Sequence, residues 1–122
     1  MREISYAEAK VEALRDVMRA DRRVCLIGSY FLGLSPRRVL LDGIRKEFPD
    51  RVFDPPISEA AICGMAVGAA MAGLRPIVEV TTASFLFHAF AQVLNEAANA
   101  RYMSGGQLGV PVVFHILHGL RG

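Results

Sequence analysis

Three short stretches of this chain are apolar at nearly consecutive positions rather than at alternate ones: 23–28 (RVCLIG), 76–81 (PIVEVT) and 110–117 (VPVVFHIL). A strand with one wet face alternates apolar and polar residues; a strand covered on both faces does not. The stretches between them read as helices. Strands that alternate with helices in this way pair in parallel, because the crossover between parallel neighbours needs a dozen or more residues. The expected fold is therefore α/β, three layers with a mostly parallel sheet between helices. Ligands of such sheets sit outside the carboxyl ends of the strands. That rule directs attention to 28–30, 54–59, 81–85 and the residues after Leu117.

Local signals place the elements. Ser5-Tyr6-Ala7-Glu8 reads as a capping box, the serine oxygen taking one free N–H and the glutamate reaching back for another. Ile4, Ala7, Val11, Leu14 and Met18 then fall three and four apart, on one helix face. Ser35-Pro36 reads as cap and first residue of a second helix that carries Val39, Leu40, Ile44 and Phe48. A short strand is expected at 51–53. Ser58 is expected to cap a third helix that runs to Gly73. A long helix is expected over 84–103, stopped by Ser104-Gly105-Gly106. The last strand, 110–117, is expected to be buried.

With 122 residues the chain has room for one small domain. A hydrophobic fraction of 52% calls for a large core or a large buried interface. The net charge of +2 comes with scattered arginines and no basic run, so nothing points to nucleic acid. The longest near-apolar run, 60–74, is shorter than the ~20 residues of a membrane span. The N-terminus is polar with mixed charges, unlike a secretory leader. Cys25 and Cys63 lie in apolar stretches and read as reduced core thiols of a cytoplasmic protein.

The chemistry-bearing candidate is Glu59, the only charged side chain between Asp54 and Arg75. Two readings compete. An acid in the first turn of a helix is favourable to the helix dipole by ~0.3–1 kcal/mol and needs no other reason. Alternatively it is a working acid, because the small, apolar helix behind it can be buried on several sides and a buried carboxylate must find a donor or a charge. The small-residue face of that helix, with Gly64, Gly68 and Gly73 among alanines, suits either packing on its own sheet or contact with another subunit. His88, Gln92, Asn95 and Asn99 form a polar stripe opposite Phe87, Phe90 and Leu94, either solvated or a subunit contact. His115 and His118 lack a cysteine or acid at ligand spacing, so no zinc is expected. The segment 28–33 lacks the glycine fingerprint, which leaves the chain without a pyrophosphate grip of its own and argues against a freestanding oxidoreductase on a Rossmann-like sheet.

Several motifs resemble one family together. These are MREISYAEA at 1–9, PISEA at 56–60, GAAMAGLRP at 68–76 and RYMSGGQ at 101–107. They are similar to the beta subunit of the thiamine-diphosphate-dependent 2-oxo acid dehydrogenases of pyruvate, branched-chain and acetoin type, over Met1 to about Phe114. The resemblance implies a transketolase-type pyrimidine-binding domain, incomplete at its C-terminal end, occupying 1–122 and amounting to roughly the first third of a family subunit. It implies thiamine diphosphate held between this domain and an alpha subunit, which would grip the diphosphate and its magnesium. The family glutamate that hydrogen-bonds the aminopyrimidine ring nitrogen, and so favours the imino tautomer that removes the thiazolium proton, falls on Glu59. The aromatic that packs on the pyrimidine falls on Phe85, Thr81 is counted with it at the cofactor, and a carbonyl that binds potassium in some members falls on Val112.

The chain departs from the family at Ser29, where an acid is usual, and at Ala91, where an aspartate is usual. After the fourth strand it reads HILHGLRG in place of Arg-Gly-Pro and a glycine-rich loop, so the family's catalytic histidine is not transferred to His115 or His118. Two expectations stand side by side. One is a beta-type component of a 2-oxo acid dehydrogenase that is inactive alone. The other is a truncated or degenerate relative that serves only as a structural or oligomerisation module. Either way an open last sheet edge is expected to be covered by self-association or a partner.

Overall fold

Helix α1 (Tyr6–Ala20) begins where the capping box puts it: the Glu8 N–H donates to Ser5 Oγ at 3.3 Å and the Ser5 N–H donates to Glu8 Oε2 at 2.7 Å. Its apolar stripe buries Ala7, Val11, Leu14 and Met18, while Ile4, just ahead of the helix, stays largely exposed. This computed structural model describes residues 2–28 and 38–117. The expected helix start at Ser35-Pro36, the strand-end residues Ser29 and Tyr30, His118, and the side chains of Val39 and Leu40 lie outside the described residues.

The order continues β1 (Val24–Ile27), α2 (Arg38–Glu47), β2 (Val52–Phe53), α3 (Glu59–Met71), β3 (Arg75–Thr82), an irregular helical stretch, α4 (Ala100–Met103) and β4 (Val113–Leu117). The sheet order is β2-β1-β3-β4 and every pairing is parallel. The α/β reading holds, with helices on both faces. Val24 and Leu26 point to one face, where they pack with Val11, Leu14 and Met18 of α1 and Leu41 and Ile44 of α2. Cys25, Ile27 and Val78 point to the other, against Ile62 and Ala66 of α3. Arg51, just ahead of β2, ties the first face together: its Nη1 donates to the carbonyls of Met18 at 2.8 Å and Asp21 at 3.2 Å, around the end of α1, and its guanidinium lies 4.4 Å from the Phe48 ring centroid.

Three expectations are corrected. Strand β4 is shorter than 110–117 and is not buried, because it is the edge of the described sheet and exposes Val113 and Leu117. The expected long helix over 84–103 is instead a 3₁₀ turn series at Ala83–Ala89, a π-helical stretch at Gln92–Ala98 and the short α4. Its inward line is made of small residues, Ala89 and Ala100, with Leu86 partly buried, while Phe87 is 74% exposed and Phe90 and Leu94 also face outward. Third, Ser58 occupies the cap position of α3 but its side chain makes no capping hydrogen bond, and the helix ends at Met71 rather than Gly73.

Gly28 closes β1 with φ +144°, a conformation that L side chains rarely adopt. A Cβ built there lies 2.9 Å from Glu79 Cβ and 3.0 Å from the Glu79 carbonyl oxygen. Gly28→Ala is expected to lower stability by roughly 2–3 kcal/mol through strain and overlap, read as a fall in the urea midpoint; a midpoint like that of the wild type would show that the two strands do not approach this closely.

Candidate functional site

The carboxyl ends of the four strands share one edge, and the chain delivers three of the sequence-predicted residues to it. From β1 the chain passes through α2 to β2 on one side; from β2 it passes through α3 to β3 on the other. The connections diverge between β1 and β3, the place where open parallel sheets bind ligands. Gly28 ends β1, Thr81 lies at the end of β3, and Glu59 enters α3 shortly after β2. Phe85 follows in the 3₁₀ stretch, which packs against α3. Val112 is placed apart from these. It precedes β4 at the amino end of the sheet, its N–H donates to the Val110 carbonyl at 2.8 Å, and its side chain packs on the Cys25, Ile27 and Ile62 cluster.

Glu59 is half-buried, and neighbouring Ile57 is 62% exposed, so these residues alone do not wall the acid off from water. The Ser58 carbonyl accepts the Ile62 N–H at 2.9 Å, which starts the helix without a side-chain cap. One turn further on, Cys63 is fully buried, and its thiol is pushed up to about 11, first by burial and then by the Glu59 charge. Cys25 is raised by burial too, against a smaller opposing pull from Arg51. Both thiols are free, as read from the sequence. Phe85 is 44% exposed.

Sequence reasoning missed a second acid. Glu79, in β3, is 3% exposed and is the buried charged side chain among the described residues. Its Oε2 meets His115 Nδ1 of β4 at 2.5 Å, and its Oε1 accepts the Thr81 N–H at 3.1 Å. His115 Nε2 lies 3.5 Å from Lys10 Nζ of α1. The signal was present: an acid set inside an otherwise apolar strand covered on both faces has no water to turn to and must find a donor, and an imidazole in the neighbouring strand is one.

The family described as "Transketolase, pyrimidine binding domain" matches residues 2–122. The chain is 42% identical over 113 residues to the pyruvate dehydrogenase E1 component subunit beta of Rickettsia conorii, covering 92% of this chain and 35% of that protein. It is 44% identical over 117 residues to the mitochondrial subunit beta-1 of the same component from Oryza sativa subsp. japonica, covering 93% and 30%. The chain thus spans about a third of the length of these relatives. Among solved structures, "Split gene transketolase, inactive beta4 tetramer" superposes with a TM-score of 0.62 at 27% identity, covering 78% of this chain and 30% of that one.

The raised Cys63 thiol has a stability consequence. A thiol that is harder to ionise in the fold than in the unfolded chain stabilises the fold fully below its unfolded value, near 9, and that contribution is lost as pH climbs through about 11. The urea midpoint is expected to fall across this window, by an amount on the order of 2 kcal/mol from Cys63, and Cys63→Ala is expected to flatten the fall. An identical alkaline profile in the variant would contradict the assignment.

Proposed function

This chain belongs to the transketolase pyrimidine-binding domain family, and from that premise we propose that it is the beta-type component of a thiamine-diphosphate-dependent 2-oxo acid dehydrogenase. The observation that carries the reading is the delivery of Glu59 and Phe85 to one edge of the sheet, on segments that pack together. A half-buried carboxyl and an exposed aromatic face are the two groups an aminopyrimidine needs, one for its ring nitrogen and one for its flat face. Thiamine diphosphate supplies, when bound, an acidic thiazolium carbon and an amino group that serves as its internal base.

In this reading Glu59 holds a proton at the pyrimidine ring nitrogen, which tunes the amino group for proton transfer. Phe85 lies against the ring, and Thr81 lines the strand end beneath it. The segment 28–33 lacks a glycine fingerprint, so the diphosphate and its magnesium are assigned to an alpha-type partner. That partner also closes the site over Glu59, which this chain leaves half-buried. The isolated chain is accordingly inactive, and a potassium ion on the Val112 carbonyl would sit at the opposite, amino end of the sheet.

With an alpha-type partner present, Glu59→Gln is expected to lower 2-oxo acid turnover about 100-fold or more, in line with the loss of an acid–base group, while calorimetry still detects thiamine diphosphate binding. Phe85→Ala is expected to weaken binding by roughly 0.5–1.5 kcal/mol. Equal binding and turnover in wild type and Glu59→Gln would sink the reading.

A second reading is favoured by a separate observation. Phe87, Phe90, Leu94, Tyr102 and Met103 are all exposed, and the superposed split-gene transketolase is an inactive tetramer. On this reading the chain is a structural module that self-assembles without catalysis. Sedimentation of the chain alone distinguishes the two: a monomer at high concentration counts against self-assembly, and a discrete oligomer without cofactor binding, even with the partner added, favours it.

A further inference from the structure

Glu79 takes no part in the chemistry proposed above, yet both of its oxygens are committed. Oε1 accepts the Thr81 N–H at 3.1 Å and Oε2 faces His115 Nδ1 at 2.5 Å. On the far side of the imidazole, Nε2 lies 3.5 Å from the Lys10 ammonium, at the outer limit of a hydrogen bond. An ammonium only donates, so Nε2 accepts, and Nδ1 carries the proton given to Glu79. The chain of contacts runs from α1 through β4 into β3 and ends on a backbone amide.

That amide belongs to a strained residue. Thr81 has φ +70° and is the one non-glycine residue in the left-handed region among the described residues. A β-branched residue there is an outlier that persists only where its surroundings hold it. The strand pairing is irregular at the same place. Glu79 pairs with His115 and Thr81 with Ile116, so β3 carries one residue more than β4 between them. Bulges of this kind re-aim the chain. Immediately beyond it the chain leaves the sheet for the Ala83–Ala89 stretch that carries Phe85.

The geometry points to Glu79 as a positioning residue: seated between His115 and the Thr81 amide, it fixes the left-handed turn at Thr81 and with it the direction in which the Phe85 segment leaves β3. The effect on a pyrimidine ligand rests on the function proposed above; the effect on Thr81 does not.

The test is nuclear magnetic resonance of the isotope-labelled chain, followed by thiamine diphosphate titration with the alpha-type partner. Wild type is expected to show the Nδ1–H tautomer at His115 and the strong amide–Hα contact of a positive φ at Thr81. Glu79→Met, of similar length but with no acceptor, is expected to lose the Thr81 signature and shift Phe85. Adding Thr81→Gly, which adopts the turn without help, is expected to return Phe85 to its wild-type position. Unmoved Thr81 and Phe85 signals in Glu79→Met overturn the inference. Should Glu79→Met fail to fold, Glu79→Gln decides. Its side chain offers an oxygen to only one of the two neighbours, so either the Thr81 amide or the His115 tautomer must change, and a spectrum with both as in wild type overturns the inference. In the titration, Glu79→Met is expected to bind thiamine diphosphate about 10- to 100-fold more weakly. Equal affinity in wild type and variant overturns the link from Glu79 to the site. A wild type that does not bind thiamine diphosphate sinks the proposed function instead, and the spectra alone then decide the role of Glu79.

Discussion

Parallel pairing of β1 with β3, from Val24 opposite Arg75 to Ile27 opposite Val78, is the constraint from which the rest of the arrangement follows. Parallel neighbours cannot be joined by a hairpin, so the chain must leave one end of the sheet, cross a face and return at the other end. Helix α2 crosses with α1 on the face of Leu26, and α3 crosses on the face of Cys25 and Ile27. Burial of both faces forces the strands to be apolar throughout. Parallel pairing also sends every strand end to the same edge, so the segments after β2 and β3 bring Glu59 and Phe85 to that edge although they are 26 positions apart in the sequence.

The same constraint explains what the sequence could disclose. Strands β1 and β3 were legible because RVCLIG and PIVEVT are short, apolar, rich in β-branched residues and bounded by glycine or proline, and α1 because its capping box and its three-and-four spacing agree. Position within the sheet was not legible. Segment 110–117 is as apolar as a central strand, but β4 lies at the edge of the described sheet, and periodicity carries no record of which strands have two neighbours. The stretch after β3 departs from the expected helix for a different reason. Its large apolar side chains suit an inward face, whereas α3 meets it with Cys63 and Gly64, small residues that admit only close neighbours. Ala89 fits there, and Phe87 and Phe90 are left outside with their ring centroids 5.8 Å apart.

The site was half legible. Glu59 stood out as a lone charge in a long uncharged run, and family resemblance gave it a role that position alone could not. A buried carboxylate must find a donor, and that requirement weighs more on another residue than on half-buried Glu59. Glu79 meets that description, with its oxygens taken by an imidazole and an amide. It was hidden because a strand is judged by its apolar count, and one acid among valines and an isoleucine barely changes that count. The partner could be found only by register, since Glu79 and His115 are 36 positions apart in sequence and directly paired in the sheet.

Stability is a weak reason for such a pair to exist. A carboxylate taken out of water loses hydration that its hydrogen bonds to a neutral imidazole and an amide do little more than offset. A chain that needed only a firm sheet would do as well with two more branched aliphatics at these positions. What aliphatics cannot do is accept the N–H of Thr81. Without an acceptor, that amide and the left-handed turn that presents it would both relax toward ordinary strand geometry, and β3 would continue straight past the edge. The polar pair makes sense as the holder of a bend, and the bend matters because the next segment carries the aromatic face at the ligand edge of the sheet.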